Sequence, residues 1–285
     1  MNEETRETPM EQTPHATRYQ LRFSLGQRYL HGVLLTSFLG LALTGLPLRF
    51  SHTVWADRFA HTVGGFAAIL FFHKFFAVLL TATFLIHLGD VFYRGIIKGN
   101  RDIFYGVNSL VPRGKDFADL YHHVRWFLWL GPRPKFDRFA YWEKFDYWAV
   151  FWGMAIIGLS GYAMWFAPYV ARLIPGSWFN VALVLHGEEA LLAVWFIFTV
   201  HFFNSHLRPG SFPMDLVIFT GKQTEEEMKE KHPEEYRRLV ESGQLKLTEA
   251  GPERWLRNFG RVIGTVAILI GFVLLWLTLT AFLQG

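Results

Sequence analysis

Five apolar runs dominate this chain: Tyr29–Leu48, Phe66–Phe92, Tyr147–Ala167, Val181–Asn204 and Val262–Leu283. Each is long enough to cross a hydrocarbon core of about 30 Å, which takes roughly 20 helical residues. Each is also apolar around most of its circumference rather than along one stripe. That pattern suits lipid or a bundle of similar helices, not a helix with one face in water. The expected fold is therefore all-α, an integral membrane helical bundle of five transmembrane helices. Composition agrees, since 51% of the 285 residues are hydrophobic and only 18% are charged, far from the balance of an ordinary soluble domain.

A net charge of +4 could signal nucleic acid, but the placement of the basic residues gives it another meaning. Of 28 Lys and Arg, 24 fall in the N-terminal arm, in Arg94 to Lys144 and in Arg208 to Arg261. Only Arg49, Arg58, Lys74 and Arg172 lie on the other side. The positive-inside rule then puts the N-terminus and both long connections in the cytoplasm and, after five spans, the C-terminus outside. The expected location is a bacterial-type inner membrane, with no nucleic-acid partner. The polar, acidic start lacks the basic and short apolar regions of a signal peptide. The chain divides into an arm (1–28), a four-span core (29–209) with a long loop at about 93–146, a segment (210–261) and a fifth span (262–285). Glu225 through Arg238 reads as a short solvated helix interrupted by Pro233.

The chain has no cysteine and twelve histidines, so disulfides, thiolate-held metals and covalently attached haem are excluded. His31, His73, His87, His186, His201 and His206 lie within or at the edges of the spans, where ionisable residues are costly and their default reading is functional. His15, His52, His61, His122, His123 and His232 fall in loops or tails and read as solvent-facing or interfacial. In the assigned orientation His73 lies near the outer surface and His87, fourteen residues on, about 21 Å deeper. His186 is likewise outer and His201 about 22 Å deeper, while His31 opens the first span near the cytoplasm. At 100° per residue each pair returns to one side of its helix, within about 40° and 60°. Two His-rich levels on an inward face are what two stacked iron porphyrins require, one imidazole from each side.

The sequence resembles the dihaem cytochrome b (gamma) subunit family of respiratory formate dehydrogenases and nickel–iron hydrogenases. The resemblance rests on Arg28-Tyr29-Leu30-His31, Leu43-Thr44-Gly45-Leu46 and His73-Lys74-Phe75-Phe76. Lys144, Tyr147 and Trp148 then enter the third span, followed by Gly158-Leu159-Ser160-Gly161, with His186 and His201 on the fourth. It covers most of Arg18 to Pro209 and implies a four-helix haem-binding core with two haem b. His73 and His186 would ligate the outer iron, and His31 and His201 the cytoplasmic-side iron. Depth alone leaves His31 or His87 opposite His201 or His206. Two departures stand out: the interval from 186 to 201 is one residue longer than is usual in the family, which keeps His206 as an alternative, and a fifth span follows the usual four.

Arg28, Arg49 and Lys74 are candidate propionate contacts. His87, Asp90, Asn204 and His206 are candidates for a quinone pocket or alternative ligands, since quinone reduction consumes protons near an interface; His87 and His206 could instead hold a third haem. Glu188 and Glu189 are expected to pair with an outer basic residue, and Trp126-Phe127-Leu128-Trp129 reads as an interfacial or partner-binding patch. No residue is assigned a catalytic role. The expected function is electron transfer across the bilayer between the quinone/quinol pool and a partner, an iron–sulfur subunit or multihaem cytochrome c on the outer face, within a quinone-linked oxidoreductase complex. The competing class is a haem-free membrane transporter or anchor whose histidines relay protons or bind metal.

Overall fold

The apolar runs form five helices that extend beyond them, at Leu25–Arg49, Phe66–Ile97, Tyr141–Trp165, Ser177–Leu207 and Arg254–Leu283. This computed structural model describes residues 17–284; His15 and most of the N-terminal arm lie outside the described residues. The fold is an all-α bundle with five helices long and apolar enough to span a membrane. The first span starts where Ser24 caps it: Gln27 N donates to Ser24 Oγ and Ser24 N donates to Gln27 Oε1 at 2.9 Å, a capping box that satisfies two terminal donors. The third span begins six residues before its apolar run. Its polar first turns are satisfied within the protein: Glu143 accepts from Ala140 N, Lys144 donates to Asp116, and Asp146 accepts from His201.

The fifth span packs on the first and fourth, and at its start on Met214 and Phe219 of the segment after the fourth, through a repeat the hydropathy pattern conceals. Gly260, Gly264, Ala267, Gly271, Leu274, Thr278 and Ala281 are all buried and recur alternately every four and three residues. That spacing forms a single seam, and its small side chains let helices approach closely. A side chain at Gly271 would meet the Phe198 ring at 2.5 Å. Ala42, Leu46, Leu191, Val194, Phe198 and Phe202 complete this cluster from the other two helices. The third span is different. Between Tyr141 and Trp165 only Lys144 and Ser160 are buried; most of the rest are half-buried, and Phe145, Trp148, Trp152, Ala155 and Leu159 form one exposed stripe.

At the end of the bundle where the second and third spans are connected, the polar segments build one folded unit. Strand β1 (Tyr19–Leu21) lies between β2 (Lys222–Thr224) and β3 (Leu247–Thr248) in an antiparallel sheet. The N-terminal arm and the segment after the fourth span are thus parts of one structure. Glu235, 2% exposed, accepts from Arg22 at 2.8 Å and from Arg138 at 3.0 Å, tying the arm, the long loop and this segment together. The stretch expected to be a solvated helix is two helices, Glu225–Lys231 and Pro233–Glu241. Glu225, Met228, Lys231, His232 and Glu235 are buried. Its charges are neutralised in pairs, Lys231 with Asp215 and Glu225 with Arg18 and Lys229, which charge patterning alone did not reveal. His232 is likewise not solvent-facing: its Nδ1 meets the Asp137 carbonyl at 2.8 Å.

Candidate functional site

His73, on the second span, and His186, on the fourth, face each other with ring centroids 6.1 Å apart and ring planes at 78°. Both Nδ1 atoms are engaged. That of His73 meets Thr44 Oγ1 at 3.0 Å, while that of His186 meets the Ile157 carbonyl at 2.9 Å. Against a carbonyl, His186 Nδ1 must be the protonated nitrogen, which leaves Nε2 with a lone pair. Metal-ligating imidazoles are held in this way by an outer partner on the other ring nitrogen. Two metal–imidazole bonds of about 2 Å, each extended by a ring radius of about 1 Å, set bis-ligated centroids about 6 Å apart. The observed separation fits one haem iron between the two rings.

Glycines shape this layer. A Cβ at Gly161 would stand 2.8 Å from His186 Cε1, and one at Gly45 would stand 3.2 Å from His73 Cε1. Each ring therefore occupies space that a larger residue on the neighbouring helix would take. The third span adds a π-helical turn at Met154–Gly158, whose Ile157 carbonyl is the one His186 engages. Such turns shift carbonyls out of the regular ladder and recur at functional sites.

The second layer lies toward the folded polar unit and contains His31, His201 and His206. His201 Nδ1 is 2.9 Å from Asp146 Oδ2 on the third span, a carboxylate–imidazole pair of the kind that orients metal ligands. His31 is within electrostatic reach of both His201 and His206, though no ring contact as close as that of His73 and His186 joins them among the described residues. His206 is 9% exposed, and its Nδ1 has no hydrogen-bond partner among the described residues. A buried polar atom in that condition is costly. The fourth span contains π-helical turns at Ile197–His201 and Phe203–Leu207. One such turn absorbs a single extra residue, so the fifteen-residue interval from His186 to His201 turns the helix about as far as fourteen ordinary residues would.

Other sequence candidates separate into distinct settings. His87 Nε2 meets Tyr147 Oη at 2.9 Å, and Asp90 pairs with Arg94. His87 and Asp90 therefore sit beside the third span's Tyr147, whereas His206 belongs with His31 and His201. No hydrogen bond or ring contact joins His87 to His206 among the described residues. Asn204 lies half-buried in the π-helical turn two residues before His206. Arg28 donates to the Phe219 carbonyl at 2.9 Å. Lys74 lies over the Trp165 ring, 5.0 Å from its centroid. Arg49 pairs with Glu188, and Trp152 Nε1 donates to Glu189 at 3.1 Å.

Sequence reasoning missed Asp146 and did not identify Thr44 and the Ile157 carbonyl as histidine partners. A lone carboxylate at the mouth of an apolar run was the available signal for Asp146, because such a charge needs a partner. Among the described residues no group of three or more His, Asp or Glu converges to hold a bare metal ion; the histidines meet in opposed or loosely grouped sets. Comparison of the chain with protein-family models and with curated proteins finds no match.

Proposed function

We propose that this protein is a membrane dihaem b-type cytochrome, the electron-transfer subunit of a quinone-linked oxidoreductase complex, resembling the gamma subunits of respiratory formate dehydrogenases and nickel–iron hydrogenases. The opposed His73 and His186 rings, 6.1 Å apart with both Nδ1 atoms engaged, carry this reading. His73 and His186 hold the outer haem; His31 and His201 hold the second, with Asp146 fixing the His201 ring. Bound haem iron supplies one-electron redox chemistry, and the chain sets its ligands, spacing and surroundings. The distribution of basic residues supports a cytoplasmic N-terminus and an outside C-terminus. The His73 layer then lies near the outer face, where an iron–sulfur subunit or multihaem cytochrome c docks.

Quinone reacts near the His201 layer. His206 Nδ1, buried without a partner, can hold a hydrogen bond or proton for a quinone oxygen there, with Asn204 beside it. His87 Nε2 and Tyr147 Oη form a second proton-carrying pair toward the same face, with Asp90 and Arg94 at its rim.

The test is a reduced-minus-oxidised spectrum and pyridine haemochrome of the purified chain, with two b-type haems expected. His73→Ala and His186→Ala should each remove the same haem and leave the other. Absence of any b-type signal would sink the reading and leave the histidines to proton or metal handling. Two full haems in either variant would defeat the pairing.

A further inference from the structure

The helix Gly114–Phe127 lies in the connection between the second and third spans, and its sides are used unequally. Asp116 and His123, two turns apart on one side, hold it against the start of the third span. Lys144 Nζ donates to Asp116 Oδ2 at 2.8 Å, with both side chains buried, and His123 Nδ1 meets Tyr141 Oη at 3.1 Å. Trp148 Nε1, one turn further along the span, donates to the Leu110 carbonyl at 3.1 Å. These contacts set the helix at the level where the third span leaves the apolar region.

Around the helix from that anchored side, Phe117, Tyr121, Val124 and Leu128 fall within about 60° of arc at 100° per residue. All four are exposed, and none of the described residues covers them. The stripe continues into the turn that ends the helix. There Trp129 has φ of 57° and is 92% exposed. This left-handed position usually belongs to glycine; here it presents an indole with exposed Leu128 and Leu130 on either side. Arg125 lies beside the stripe, over the Tyr121 ring at 5.8 Å, whereas Arg133 lies over the Trp126 ring on the far side of the helix. Neither they nor Lys135 has a carboxylate partner among the described residues. A protein partner, a second copy of the chain and a lipid surface could each cover an apolar stripe. Three observations favour lipid: the helix is fixed to a membrane-spanning segment at the height of its end, the exposed residues are those that settle at headgroups, and the neighbouring cations lack carboxylates.

We propose that Gly114–Phe127 and the Leu128–Leu130 tip lie in the plane of the bilayer surface, with the stripe in the headgroup–acyl boundary and Arg125 on anionic phospholipid. This does not depend on what the bundle binds. The chain has no cysteine, so single nitroxide labels can be placed at Phe117→Cys, Tyr121→Cys, Leu128→Cys and, on the opposite side, His122→Cys. In nanodiscs of phosphatidylcholine with phosphatidylglycerol, power saturation should show the first three labels colliding more with oxygen than with a water-soluble nickel chelate, and the fourth the reverse. Replacing phosphatidylglycerol with phosphatidylcholine, or introducing Arg125→Ala, should shift the three labels toward the nickel reagent. Stripe labels freely reached by nickel would overturn the proposal, as would labels shielded from both reagents by a protein neighbour. Depth independent of phosphatidylglycerol and of Arg125 would overturn its anionic-lipid component.

Discussion

His201 and Asp146 meet across the third and fourth spans at 2.9 Å, imidazole Nδ1 to carboxylate Oδ2, while Asp146 Oδ1 has no partner among the described residues. A carboxylate so placed fixes the tautomer and ring orientation and raises the basicity of the ring. Loss of such an outer partner typically costs 10–100-fold in metal affinity. On the dihaem proposal, Asp146→Ala and Asp146→Asn should therefore lower haem content from two toward one per chain and spare the haem proposed between His73 and His186. Pyridine haemochrome content and a redox titration measure both effects. Two haems with unchanged midpoints in both variants would remove Asp146 from the site.

Gly161 supplies a sharper test of the other layer. A Cβ there lies 2.8 Å from His186 Cε1, whereas one at Gly158 meets only the flexible end of Met154, at 3.5 Å. On the dihaem proposal, Gly161→Ala should tilt the imidazole and deplete the haem between His73 and His186, while Gly158→Ala should leave both haems in place. Both substitutions add one methyl group to the same span, so different spectra would separate site geometry from a general effect on that helix.

Much of the fold was legible in the chain because lipid imposes a strong pattern: runs of about 20 apolar residues mark spans with few alternatives. The separation of His73 and His186 from His201 along the helices followed from the 1.5 Å rise. Three things were not legible. The π-helical turns of the fourth span alter helical phase without a sequence signature. Glu225, Lys231 and Glu235 look solvated until distant partners neutralise them, since pairing depends on tertiary proximity and not on local charge. The seam of the fifth span is hidden because hydropathy scores Gly260, Gly264 and Gly271 as gaps in an apolar run, although their lack of a side chain creates the contact.

That seam makes the fifth span's position sensitive to volume. At Gly271 a side chain would be driven into the Phe198 ring at 2.5 Å, and overpacking of this kind costs about 1–3 kcal/mol. Gly271→Leu should lower the melting temperature of the detergent-solubilised protein, and Phe198→Ala added to it should recover part of the loss. Phe272→Leu, at an exposed neighbouring position, serves as the neutral control. Equal melting of Gly271→Leu and the parent would exclude the seam as a packing surface.

The folded polar unit should be acid-sensitive through His232. Burial, reinforced by the Arg22 guanidinium, holds its pKa well below the ordinary 6.5, and Nδ1–H is committed to the Asp137 carbonyl at 2.8 Å. The folded state thus keeps a neutral ring, whereas the unfolded chain takes up a proton near pH 6.5. With more protons bound in the unfolded state, stability rises with pH below that value. The ring imposes no penalty above pH 6.5 and a growing one as pH falls beneath it, by up to about 1.4 kcal/mol per pH unit. His232→Gln preserves an N–H for the carbonyl and removes the titration. Melting curves of parent and variant at pH 7.5 and 5.5 should therefore diverge, the parent losing more stability on acidification. Carboxylates common to both proteins contribute equally and cancel in the comparison; identical losses would show that His232 carries none of the acid response.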